Sequence, residues 1–387
     1  MSDAHSALER IGPGLALLAA ILGLLAAAAQ AASAQSEIVL YSFTGGADGA
    51  YPCAALVRDT KGNLYSTTWV GGADDQGTVF EVTPSGTERV LHSFAAGADG
   101  AEPCAALVRD TEGNLYGTTY LGGFFGGTVF KVTPTGTETV LYSFAGEPDG
   151  ANPYAALVDD TEGNLYGTTI FGGVSDYGTV FELTPTGEEK VLYSFGGAHG
   201  ENSYAALLQD GQGNLYGTTY FGGAHGHGTV FEVTRTGTEK VLHSFAAGAD
   251  GAGPFAGLVR DTAGNLYGTT IFGGTSGHGT VFKITPTGEE KVLHSFGAEP
   301  DGANPYALLV LDEQGNLYGT TYAGGAHGQG TVFEVTKTGT EKVLYSFGGT
   351  HGANPYAALV RDTQGNLYGT TYAGGAHGQG TVFKLTP

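Results

Sequence analysis

Apolar and polar positions along this chain form short runs that recur in a fixed order. Within residues 154–195, positions 155–160 read as a first strand, followed by the turn residues Thr161, Glu162, Gly163 and Asn164. Residues 165–171 are rich in β-branched and aromatic side chains and predict a second strand. A Gly-rich stretch from Gly172 to Gly178 leads into a third strand at 179–184. Pro185, Thr186 and Gly187 then turn the chain into a fourth strand at 190–195. Runs this short, with turn residues between them, leave almost no room for helix. Several are apolar on both faces: Val180 and Phe181 point opposite ways, as do Leu192 and Tyr193. A sheet with one wet face alternates instead, so each small sheet is expected to lie between two neighbours.

This unit occurs seven times. G-N-L-Y begins at Gly62, Gly113, Gly163, Gly213, Gly264, Gly315 and Gly365, a spacing of 50 or 51 residues, and the matching G-T-V-F begins at Gly77, Gly127, Gly178, Gly228, Gly279, Gly330 and Gly380. Such a period belongs to arrays of supersecondary units. An open stack would need distinct polar caps, yet the first and last units match the middle ones. The chain also starts with a lone fourth strand, residues 38–43, and stops just after a third strand. Pairing 38–43 beside 380–386 completes the last sheet and removes exposed edges. The predicted fold is an all-β, seven-bladed β-propeller with four-stranded blades, its ring closed by the N-terminal strand in the last blade.

The pattern D-x-x-G-N-L-Y-G-T-T … G-G-x-x-x-x-G-T-V-F-x-x-T-P-x-G … V-L-x-S-F resembles the GloVer tandem repeat of choice-of-anchor bacterial secreted proteins, over residues 37–387. The resemblance implies export and β-strand repeats. It implies no activity and no functional residues.

Residues 1–34 stand outside the repeats. Arg10 precedes an apolar run at 14–29, and Ala32-Ser33-Ala34 offers a cleavage site before Gln35. The expectation is a signal peptide at 1–34 and a mature domain at 35–387, secreted or periplasmic, monomeric and without a transmembrane span; an uncleaved anchor is the alternative. The formal net charge is −22; removing Asp3, Glu9 and Arg10 leaves 36 acids against 15 bases, or −21. Such a surface repels nucleic acid and anionic lipid, so neither is a partner. The 68 Gly residues recur in register, as turn positions do.

Candidate chemistry is sparse. Cys53 and Cys104 occupy equivalent places in adjacent units, where the other five carry Tyr154, Tyr204, Phe255, Tyr306 and Tyr356. An exported protein could bridge them, or bury two free thiols; both readings stay open. The loop between blades puts Asp48, Asp99, Asp149, Asp250 and Asp301 around the mouth of the ring, with His199 and His351 in the two shorter loops. Carboxylates could hold calcium through oxygen ligands, but Asp-Gly is a common turn dipeptide and one Asp per blade makes a poor cage. No metal or cofactor is predicted. His225 and His227, in G-A-H-G-H-G, have no third ligand fixed nearby. His92, His243 and His294 replace Tyr in the fourth strand and read as packing residues. Arg58, Arg109, Arg260 and Arg361 share a position at the end of the first strand, where pairing with acids is expected.

Trp69, Phe124, Phe125 and Tyr177 break the repeat pattern on the loop-rich face. Aromatic platforms of this kind suit sugars and peptides. No nucleophile–base arrangement, zinc motif or phosphate loop stands out, and near-identical units lack the asymmetry that catalysis needs. The first expectation is therefore a non-catalytic module that binds a glycan, peptide or protein partner. A lyase or hydrolase using His225, His227 or nearby Asp residues is the second, and a purely structural envelope protein the third.

Overall fold

The structure, a computed structural model, describes residues 36–387; the predicted signal peptide and its cleavage site lie outside the described residues. Seven four-stranded antiparallel sheets form the blades of a β-propeller. In blade 1 the strands run Val57–Arg58, Leu64–Thr68, Thr78–Val82 and Glu88–Ser93, from the axis outward. Blade 7 is assembled from both ends of the described chain. Ser36–Ser42 pairs antiparallel with Thr381–Thr386, Ser36 opposite Thr386 and Ser42 opposite Thr381. Among the described residues the only helical turns are four three-residue 3-10 turns, at Gly97–Asp99, Gly197–His199, Gly248–Asp250 and Gly349–His351.

The innermost strand is shorter than predicted: in blade 3 it is Val158–Asp159, not residues 155–160. The residues before it spend their carbonyls on the preceding blade. Thr118 Oγ1 donates to Ala155 O, Thr168 Oγ1 to Ala205 O and Thr218 Oγ1 to Ala256 O. A free ladder partner is therefore not left for them.

The recurring sequence letters each have a local cause. Asp59 Oδ1 accepts the amides of Lys61 and Asn63, while Oδ2 accepts Asn63 Nδ2 and Tyr65 Oη, which fixes the D-x-x-G-N-L-Y hairpin. Thr68 and Thr78 share a buried hydroxyl–hydroxyl bond of 2.9 Å, and Thr68 Oγ1 also reaches Val70 O. A Cβ at Gly167 would stand 2.6 Å from Phe181 Cζ, so the ring needs a glycine there. Packing between blades rests on phenylalanine pairs. Phe94 meets Phe130 edge to face at 5.1 Å and Phe144 meets Phe181 likewise at 5.1 Å, all four fully buried. Val180 and Phe181 are both 0% exposed, as two-faced burial requires. In every blade the register slips once between the third and outermost strands, as between Val79 and Phe80, and this bulge adds twist.

Candidate functional site

At the axis, each blade contributes the side chain just before the alanine that leads into its innermost strand. Five are aromatic, and they lean on one another: Tyr204 stacks on Phe255 at 4.8 Å and Tyr306 on Tyr356 at 5.0 Å. Tyr154 crosses the axis, its hydroxyl 3.3 Å from that of Tyr356. Burial pushes the Tyr154 hydroxyl up to about 12, and the Tyr356 hydroxyl is raised for the same reason. The remaining two positions hold the Cys53–Cys104 disulfide, which joins blades 1 and 2 with Cα atoms 5.3 Å apart. Where Cys53 stands in place of a ring, a hollow of about 360 Å³ opens. Its walls are Trp69, Tyr306, Tyr322, Tyr356 and Tyr372, closed by Cys53 and Tyr154.

Other departures from the repeat gather at the same place. Asn152, Asn202, Asn304 and Asn354 sit in the left-handed region with φ of 56–57°. Each donates Nδ2 to a carbonyl of the preceding blade, as Asn354 does to Tyr322 O at 2.9 Å. Blades 1 and 2 put Tyr51 and Glu102 in that conformation instead, at φ 56° and 58°. A bulky side chain there is strained and needs support from its surroundings. Tyr51 stacks on Tyr372 at 4.9 Å, and Glu102 Oε2 accepts the Trp69 indole N–H at 3.0 Å. Blade 1 also replaces the usual glycine with Ser66, whose hydroxyl donates to Ala54 O. Thr67, unlike its counterparts, leaves its buried hydroxyl without a partner, at the interface that the disulfide crosses.

The other predicted positions lie elsewhere. Phe124 and Phe125, 70% and 93% exposed, project from the shortened loop of blade 2, and Tyr177 is half-exposed on blade 3. His225 and His227 are exposed on blade 4, and no third ligand joins them among the described residues. None of these five lines the hollow. The arginines do not mainly pair with acids. Arg58 lies over the Tyr368 ring at 5.6 Å and Arg361 over Tyr318 at 5.5 Å; of the four that share the first-strand position, only Arg260 comes within 4 Å of a carboxylate, Asp210.

The Asp and His ring does not surround the mouth. Twist within each blade swings the outermost strand and the loop after it away from the axis, so these residues sit at the circumference. Asp48 accepts the Tyr41 hydroxyl at 2.9 Å and caps its own loop through Thr44 N. Asp99 bonds His92 at 3.2 Å, Asp250 bonds His243 at 3.1 Å, and the Asp149 side chain accepts Ala145 N. His199 and His351 instead reach Glu239 and Glu37, at 2.7 and 2.8 Å. These glutamates belong to a second ring, one at the foot of each outermost strand, that sequence reading missed. All seven keep Oε1 buried and without a hydrogen-bond partner. Burial and a facing aspartate push Glu88, Glu138 and Glu189 up to about 7. Their one visible signal was the glutamate that opens every fourth strand.

Residues 29–212 and 202–387 match the Gloeobacter/Verrucomicrobia repeat. No curated protein shows significant similarity. Among solved structures, the extracellular domain of a hybrid two-component system from B. thetaiotaomicron is similar at TM-score 0.60 and 12% identity. That match covers 91% of this chain, but this chain spans only 39% of that one. A protein from Bacteroides uniformis described as a 6-phosphogluconolactonase is similar at TM-score 0.51 and 17% identity, over 76% of this chain and 83% of that one. A gluconolactonase from Xanthomonas campestris has TM-score 0.47 and 16% identity, over 93% and 92%. At these identities the likeness is one of fold.

Proposed function

For this chain, which belongs to the Gloeobacter/Verrucomicrobia repeat family, we propose the role of an exported, non-catalytic binding module that takes a glycan end in the hollow beside Trp69. The observation that carries this reading is convergence: Cys53 and Trp69 depart from the repeat and line the hollow, and two further departures, Tyr51 and Glu102, brace its walls by stacking on Tyr372 and accepting the Trp69 indole N–H. Aromatic walls with hydroxyl groups at their edges suit a sugar ring, which offers an apolar face and polar rim. The lining supplies no histidine, no carboxylate and no free thiol; its titratable groups are tyrosine hydroxyls, and burial raises those of Tyr154, Tyr306, Tyr356 and Tyr372, which disfavours their use as bases or nucleophiles. Export is supported by the apolar N-terminal run and by an extracellular neighbour in fold. No helix among the described residues is long and apolar enough to cross a membrane.

Trp69 is the only tryptophan in the chain, so its fluorescence reports on the hollow directly. Titration with an oligosaccharide panel is expected to shift that emission saturably for one class of sugar. Binding read by calorimetry should weaken at least about tenfold in Trp69→Ala, a stacking loss of roughly 1.4 kcal/mol or more, and stay unchanged in Phe125→Ser. Silence across the panel, or equal binding by Trp69→Ala, overturns the reading.

A further inference from the structure

The seven interfaces at the circumference share one plan: a Tyr or His on the outermost strand, an Asp or His in the loop after it, and a Glu at the foot of the next blade's outermost strand. Most settle their charges internally. At two, His199 and His351 hold the glutamate. At Asp99 and Asp250, Oδ1 bonds the strand histidine and Oδ2 the loop amide, so both oxygens are used.

Two interfaces differ, and both carry the loop E-P-D-G, at Asp149 and Asp301. Here Oδ2 takes the loop amide and Oδ1 is left buried without a partner. The facing glutamates, Glu189 and Glu341, keep Oε1 buried and unpaired as all seven do, so at these two interfaces alone both carboxylates have an orphan oxygen. At this strand position the side chain is almost fully enclosed: Glu37 and Glu239 leave 2% of theirs exposed. Two desolvated carboxylates facing one another with orphan oxygens call for a cation between them.

Beside Asp149 the strand residue is Tyr142, which brings no nitrogen. Beside Asp301 it is His294. Ligand atoms of His294, Asp301 and Glu341 lie within 4.8 Å of one another, and among the described residues no other group of three His, Cys, Asp or Glu does so. We propose that His294, Asp301 and Glu341 form a binding site for a single divalent transition metal of the zinc type, between blades 5 and 6. One imidazole and two carboxylates suit zinc or manganese better than calcium, which prefers oxygen alone. The His294 Nε2–Asp301 Oδ2 contact of 3.1 Å is the bond that the metal replaces. The site is separate from the axial hollow and does not depend on its function.

Calorimetric titration of the purified protein with Zn²⁺ tests it. One tight event per chain is expected, weakened at least about tenfold by His294→Tyr, which reproduces the residue present beside Asp149. Glu341→Gln provides the second variant should the first fail to fold by circular dichroism. His225→Ala with His227→Ala, which removes the exposed pair, should leave the tight event unchanged. The proposal falls if no tight event appears, if it survives both His294→Tyr and Glu341→Gln, if the His225/His227 variant abolishes it, or if Ca²⁺ binds equally well.

Discussion

The blade interfaces are built alike at the circumference and unlike at the axis. Outside, seven glutamates and seven Phe–Phe contacts recur with little change, as do seven threonine pairs within the blades. Inside, blades 1 and 2 replace two aromatics with a disulfide and put Tyr51 and Glu102 where other blades use asparagine or glycine. Repetition is what a ring needs to close. Departures that cluster in one sector, two of them in strained backbone, add little to closure, which is why the proposed binding site is placed there.

Removing residues 36–42 should have the largest effect, because it strips the circumference of one outermost strand. The edge of Thr381–Thr386 would then be open to pairing with other chains. Loss of the monomer in sedimentation, with aggregation or a collapsed melting temperature, is expected; an unchanged monomer would refute closure.

Breaking the axis at its covalent point should cost less. Cys53 and Cys104 enclose a 51-residue separation, for which loop-closure entropy gives about 4 kcal/mol. Cys53→Ala with Cys104→Ala should lower denaturant stability by up to that amount, and non-reducing mass spectrometry of the parent should find no alkylatable thiol.

The circumference also sets a pH response. Glu88, Glu138, Glu189, Glu290 and Glu341 are pushed up to about 7, first by burial and then by a facing aspartate. A folded pKa above the ordinary 4.5 means that the folded state holds the proton more tightly, so this contribution is full below about 4.5 and is lost as pH rises through 7. The hairpin aspartates, such as Asp59 and Asp362, act oppositely. Hydrogen bonds hold them below 3.8 against the opposing effect of burial, so their support is lost only as pH falls past that value. The melting temperature should peak on the acidic side of neutrality and fall by several degrees toward pH 8; a profile that rises from pH 5 to 8 contradicts this.

The smallest change sharpens the comparison most. Tyr51→Asn restores the residue that blades 3, 4, 6 and 7 use and should relieve about 1 kcal/mol of left-handed strain. Stability should rise while glycan affinity falls. If both fall together, Tyr51 is structural.

Fold was legible because two-faced apolar runs and a constant period are strong signals; Val180 beside Phe181 and the orphan first strand carried most of the argument. Trp69 and the two cysteines were visible as departures, but their meeting around one hollow was not, since it depends on which blades are neighbours and on side-chain direction at the axis. The Asp ring was misplaced because a linear reading does not show how far twist carries an outermost strand from the axis. The glutamate ring went unseen because a glutamate opening a strand looks solvated, and only packing against the next blade makes it buried.

Pairing of Ser36–Ser42 with Thr381–Thr386 has one more consequence. Both ends of the described chain lie side by side in one blade, so the ring has no physical beginning. Circular permutants that join these ends through a short linker and open the chain in another blade's T-P-x-G hairpin should refold to the same molecule. In such a permutant the covalent seam would move while the hollow stayed with blades 1, 3, 6 and 7, separating what the sequence order dictates from what the geometry does.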